Sequence, residues 1–189
     1  MHPAEHRALR ELYVMARQLR DHWRALAVRL EAAAPEQAAL LRDGSDAART
    51  LIGELTDVTA ARSLHGRPAA QGLGAQLASA RSVMLDTALE INQAVRFAAL
   101  DVVLVVMLLE YLATLARADG DAQLEAFLRA WASRMGAHEA AIRSAAAALG
   151  DAPDAAIGAA ASGRAGRIAH GAAVAVGTLG EWVDGRTDR

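Results

Sequence analysis

The chain has 189 residues, long enough to bury one real core, and its formal net charge of −2 supplies no overall field toward nucleic acid or an anionic membrane. Hydrophobic residues make up 53% and aromatics only 4%; much of the difference is alanine, the best helix former and a poor core filler, and no alternating run of strand formers opposes it. Cysteine is absent, which excludes disulfides, thiolate metal sites and cysteine catalysis.

All 20 basic residues are arginine, a bias that with so much alanine reads as codon composition rather than a selected cationic surface. The segment from Met1 to Tyr13 is charged and lacks an apolar signal core, so a cytoplasmic location is expected. The expected fold is all-α: a four-helix bundle over 1–150, an Ala/Gly-rich linker over 151–163 and an amphipathic tail helix over 164–189.

The first helix is expected from about Ala4 to Ala33, with Leu9, Leu12, Ala16, Leu19, Trp23, Leu26 and Leu30 on one seam at alternating three- and four-residue steps. Pro35 ends that helix and suits the first turn of the next, which runs to about Ser63 with Leu41, Gly44, Ala48, Leu51, Leu55 and Val58 as its stripe. Gly44 falls on the stripe and reads as a close helix contact. So short a connection makes the two helices antiparallel neighbours. A loop from His65 to Gly74 follows, then a crossover helix from about Ala75 to Leu89 carrying Leu77, Ala80, Met84 and Ala88.

Ala94 to Arg117 is the most apolar helix, and Phe97 to Ala116 has the length of a membrane span. It carries Asp101 and Glu110, and an acidic residue near mid-bilayer costs roughly 2.5–3.5 kcal/mol on insertion scales. A central helix buried on several sides is the expectation instead. After the turn at Ala118 to Asp121, the last bundle helix places Leu124, Leu128, Trp131, Met135, His138, Ile142, Ala145 and Leu149 on one seam. Beyond the linker, Ile168, Ala172, Ala175, Leu179 and Trp182 form a stripe too short to be stable alone, so Ile168, Leu179 and Trp182 are expected to dock on the bundle or on a partner chain.

Candidate chemistry is sparse. His2-Pro3-Ala4-Glu5-His6 matches the H-x-x-E-H pattern of inverted zinc peptidases, but it holds a proline and has no preceding scaffold, so a frayed, solvated terminus is expected. Glu90, Asp101, Glu110 and His138 are the weak candidates for metal ligands. Asp101 and Glu110 lie nine residues apart and point to opposite sides, whereas Glu90 and Asp101 share a face if the helix is continuous between them. Arginine pairing or exposure accounts for the carboxylates, and a hydrogen-bonded boundary position for His138. The first-helix arginines, from Arg7 to Arg29, are interleaved with Glu11, Asp21 and Glu31 and lack an aromatic platform, so they read as a solvated face. Gly163-Arg164-Ala165-Gly166 has the spacing of an RNA-binding G-x-x-G loop without its strands. No phosphate loop and no nucleophile elbow is present.

Glu11-Leu12-Tyr13, the hairpin at Pro35, the Gly/Pro-bearing segment from His65 to Gly74, Ala94-Val95-Arg96, and the turn at Asp119-Gly120-Asp121 together resemble bacterial ferritin-like helical proteins of the stress-induced type. The resemblance spans about Leu9 to Leu149 and implies a bundle with one crossover. Its di-iron site, which takes an E-x-x-H pair from each of two helices, has no counterpart: the sequence contains no E-x-x-H. Val176-Gly177-Thr178-Leu179-Gly180 loosely resembles the docking peptides of proteins packaged into encapsulin shells. The functional expectation is a non-catalytic bundle acting through oligomerisation or protein–protein interaction, with no cofactor, no nucleic acid and no membrane. The alternatives are a metal-binding or oxidase bundle using Glu90, Asp101 and Glu110, and a membrane-associated helical protein.

Overall fold

The structure, a computed structural model, describes residues 2–62 and 89–160. Four long helices dominate it: α1 (Pro3–Leu30), α2 (Pro35–Ala61), α3 (Ile91–Ala118) and α4 (Ala122–Ala148). A single 3-10 turn at Leu149–Asp151 and a one-turn helix α5 (Pro153–Ala156) follow. Among the described residues there is no strand, only an isolated bridge between Glu90 and Ala159. The all-α, four-helix expectation holds. The expected crossover helix lies outside the described residues but for Leu89, which is not helical, and the tail helix lies outside them entirely.

Local chemistry sets the helix ends. Pro3 stands in the first turn of α1, where its missing N–H is no loss, and Nδ1 of His2 accepts a hydrogen bond from the Ala4 N–H at 3.1 Å. Pro35 does the same for α2 after a four-residue connection, across which Arg42 pairs with Glu31. Glu90 and Gln93 form a reciprocal capping box at the start of α3. Gly120 takes φ of +76°, the left-handed conformation that turns the chain, and Oδ1 of Asp121 accepts from the Leu124 N–H at 2.9 Å to open α4.

The seams read from the sequence form the core. On α1 every residue from Leu9 to Leu30 in that stripe is buried, and on α2 Leu41, Gly44, Ala48, Leu51 and Leu55 are. On α4 Leu124, Leu128, Trp131, Met135 and Ile142 are buried, while His138, Ala145 and Leu149 lie at the boundary. Gly44 is a close helix contact, as its place on the stripe implies: a Cβ there would lie 2.5 Å from Cε3 of Trp23, with Cζ3 nearer still. The Trp23 ring is fully buried, and its Nε1 donates to the Ala98 carbonyl at 3.0 Å, so the same side chain joins α1, α2 and α3.

Cross-helix bonds give the directions. The His2 N–H meets Oδ2 of Asp119 past the end of α3, and Trp23 meets Ala98 near its start, so α1 and α3 are antiparallel. Nε1 of Trp131 on α4 donates to Glu54 of α2 at 2.8 Å, and Arg62 just after α2 pairs with Asp121 just before α4. The order is therefore up, down, down, up, with α1 packed on α2 and α3, and α4 on α3 and α2. The chain leaves α2 at one end of the bundle and enters α3 at the other.

Where the sequence suggests a linker from Asp151, the described part as far as Ala160 folds back onto the start of α3. The Ile91 N–H donates to the Gly158 carbonyl at 2.9 Å and the Ala160 N–H to the Leu89 carbonyl at 3.1 Å. Nδ2 of Asn92 adds a bond to the Ala156 carbonyl at 3.0 Å, and Ala156 and Ala160 are buried.

Candidate interaction surface

The four carboxylate and histidine candidates are dispersed. Glu90 is the N-cap of α3 and accepts from Nδ2 of Asn92 at 2.8 Å. Asp101, about three turns further along α3, instead binds Nδ1 of His22 on α1 at 2.5 Å, both side chains being largely shielded from solvent. Glu110 is exposed and makes no ion pair among the described residues. His138 is half-buried on α4; burial comes first in holding its pKa below the ordinary value, with Arg134 adding to the effect and Asp43 on α2 opposing it. Among the described residues no three histidine or carboxylate side chains come together to hold a metal ion.

The amino-terminal motif is not frayed. His2 caps α1, and Glu5 is buried against the end of the bundle, 3.6 Å from Nε of Arg62. Burial pushes the Glu5 carboxyl above its usual range, outweighing the Arg62 guanidinium. Arg62 also pairs with Asp121, whose carboxyl is held below its usual range chiefly by the Leu124 N–H. His2, Glu5, Arg62 and Asp121 thus each have a structural partner at this end of the bundle.

Helix α3 departs most from expectation. One face is buried along Ala94, Ala98, Val102, Val105, Leu109 and Ala116. The opposite face, expected to be covered as well, is open: Phe97, Leu100, Leu104, Met107 and Tyr111 are each between 49% and 59% exposed. Their spacing alternates three and four residues, so they form one straight stripe about 21 Å long at 1.5 Å per residue. Asp101, the acidic residue inside this run, turns toward α1 and His22, which keeps its charge off the stripe. By length and composition α3 is also the one helix among the described residues apolar enough to cross a membrane.

Among the described residues, grooves flank α3 on two sides. One, of about 260 Å³, lies between its start and the end of α4 and is lined by Asn92, Arg96, Ala146, Leu149, Pro153 and Ile157. The other, of about 360 Å³, runs beside Glu110, Thr114, Arg129 and Ser133. In the second, the Thr114 hydroxyl donates to the Glu110 backbone carbonyl at 3.1 Å and Arg129 pairs with Glu125 at 2.8 Å, so both side chains are engaged along their own helices.

The exposed stripe was present in the sequence as a second heptad-like run on an already apolar helix. It went unseen because an all-round apolar helix reads as buried on every side. The His22–Asp101 bond had no such signal, since 79 residues separate the partners. Ile168, Leu179 and Trp182, expected to make contacts from the tail, lie outside the described residues. Compared with known protein families, with curated proteins and with solved structures, the chain matches none.

Proposed function

We propose that this is a non-catalytic helical-bundle protein that acts through oligomerisation or protein–protein contact in the cytoplasm. The observation that carries the reading is the open face of α3. Five large apolar side chains half-exposed in one line make a patch of the size that marks interaction sites. The polar groups of the bundle support it from the other side, because His22, Asp101, Glu90, Glu5 and Asp121 are engaged in caps, ion pairs and interhelical bonds rather than aimed at a common point.

The up-down-down-up order favours a second element of the reading, the ferritin-like resemblance, since a bundle of that kind has one long crossover. The metal-dependent variant of that resemblance is the weaker choice: Glu90 and Asp101 are tied to different partners, and Glu110 faces solvent. Elemental analysis of protein purified without added metal separates the two. The expected result is less than stoichiometric iron, manganese and zinc; about one metal per chain, lost on Asp101→Asn or Glu110→Gln, overturns the non-catalytic reading.

A further inference from the structure

The open stripe on α3 is self-complementary. In order it reads Phe97, Leu100, Leu104, Met107, Tyr111: aromatic, medium, leucine, medium, aromatic, balanced about Leu104. A two-fold axis through Leu104 that pairs α3 with an antiparallel copy sets Phe97 level with Tyr111 of the other chain and Leu100 level with Met107, with Leu104 on its own counterpart. In an isologous dimer residue i of one copy meets j of the other and j meets i, so the Phe97–Tyr111 and Leu100–Met107 contacts each occur twice and the one stripe supplies both halves of the interface.

The charges obey the same axis. Arg96 and Glu110 are fourteen residues apart, two heptads, so they flank the stripe on the same side. In a two-fold antiparallel pair that side meets its own counterpart, which brings Arg96 of each chain to within about 3 Å of Glu110 of the other along the helix axis. Both residues are exposed, and among the described residues Glu110 makes no ion pair. Half-exposed side chains of this size leave on the order of 500 Å² of apolar surface per copy, and two copies bury on the order of 1,000 Å², where specific interfaces begin.

We propose that the occupant of this face is a second copy of the chain, docked α3 against α3 about a two-fold axis at Leu104, with Arg96–Glu110 pairs at both ends. The proposal rests on the reading of the protein as an assembly module and names its partner.

The test is light scattering of the full chain and its variants after size exclusion, with helix content followed by circular dichroism. The full chain is expected at twice its 19.8 kDa mass. Leu104→Glu, which sets two carboxylates on the axis, is expected at 19.8 kDa with unchanged helix content, since Leu104 is half-exposed within its own bundle. Arg96→Glu and Glu110→Arg each weaken the dimer at least several-fold, and the double reversal restores it. Because the chain has no cysteine, Leu104→Cys gives a second readout that does not depend on disruption: oxidation yields a disulfide-linked dimer. A dimer indifferent to Leu104→Glu and to the charge reversals overturns this surface while leaving the assembly reading in place. A monomer in which Leu104→Cys with Leu179→Cys closes an internal disulfide puts the chain's own tail on the stripe and overturns the second copy. A monomer that floats with phosphatidylcholine vesicles overturns both the dimer and the assembly reading. Stoichiometric metal in an α3-paired dimer overturns the non-catalytic reading alone.

Discussion

Gly44 is the residue on which the α1–α2 contact turns. In mid-helix a glycine is unfavourable by about 1 kcal/mol relative to alanine, so its place needs a reason. The reason is the Trp23 ring, which occupies the space a Cβ would take and is itself held by its bond to the Ala98 carbonyl. Overpacking a core with one extra carbon costs about 1–3 kcal/mol, and the pinned ring cannot swing aside. Gly44→Ala is therefore expected to lower stability by about 1–2 kcal/mol despite its gain in helix propensity. Gly53, nine residues further along the same helix, is exposed with nothing within 4 Å of its missing Cβ. There the propensity term acts alone, and Gly53→Ala is expected to raise stability by up to about 1 kcal/mol. Chemical denaturation of the two variants gives opposite signs if the Trp23 contact is as described; two equal gains would show that the ring yields.

At the scale of elements, the end of the bundle where α1 begins, α2 ends and α4 begins is held by two carboxylates that share Arg62 and answer pH in opposite directions. Asp121 has its pKa below the ordinary 3.8 because the Leu124 N–H binds the charged form; its contribution to stability is complete above 3.8 and is lost as pH falls through the lower folded value. Glu5 has its pKa above the ordinary 4.5 because burial disfavours the charge; its neutral form is the better accommodated, so the stability tied to it is present below 4.5 and lost as pH rises through the raised folded value. Two outcomes are expected from denaturation across pH. Asp121→Asn keeps a capping side chain but gives up the charge, so its deficit against the parent is greatest near neutrality and vanishes in acid. Glu5→Gln gains on the parent as pH rises past 4.5 and then levels off. None of this was legible in the sequence, where Glu5 reads as part of a solvated motif, because the partners come from the far ends of other helices. The elements themselves were legible, since each follows from heptad spacing and from Pro3, Pro35 and Gly120 at the breaks. The packing of 151–160 onto Ile91 was not, because alanine and glycine carry no pattern that distinguishes a linker from a docked strap.

For the molecule as a whole, the buried set explains why the bundle folds and also why it need not stop at one chain. The core is leucine and alanine, with Trp23 and Trp131 as its large anchors; Trp131 is tied to Glu54 of α2 and stacked by Arg134 at 4.4 Å from its ring centre. Alanine lets helices approach closely but buries little area each, so an alanine-rich bundle of this length gains less from its own interior than a leucine-rich one does. A further apolar face left open on α3 costs solvation in the monomer, a cost that the proposed α3–α3 pairing would recover. That coupling predicts a thermal midpoint that depends on protein concentration. When a dimer unfolds to two chains, each tenfold rise in concentration favours the folded form by about 1.4 kcal/mol per dimer, which for chains of this length moves the midpoint upward by about 2 °C. Unimolecular melting has no such dependence. Across a hundredfold range the full chain is expected to shift by about 4 °C, and Leu104→Glu not at all. A flat midpoint in the full chain would mean that its stability is complete within one copy, with the face of α3 contributing nothing to it.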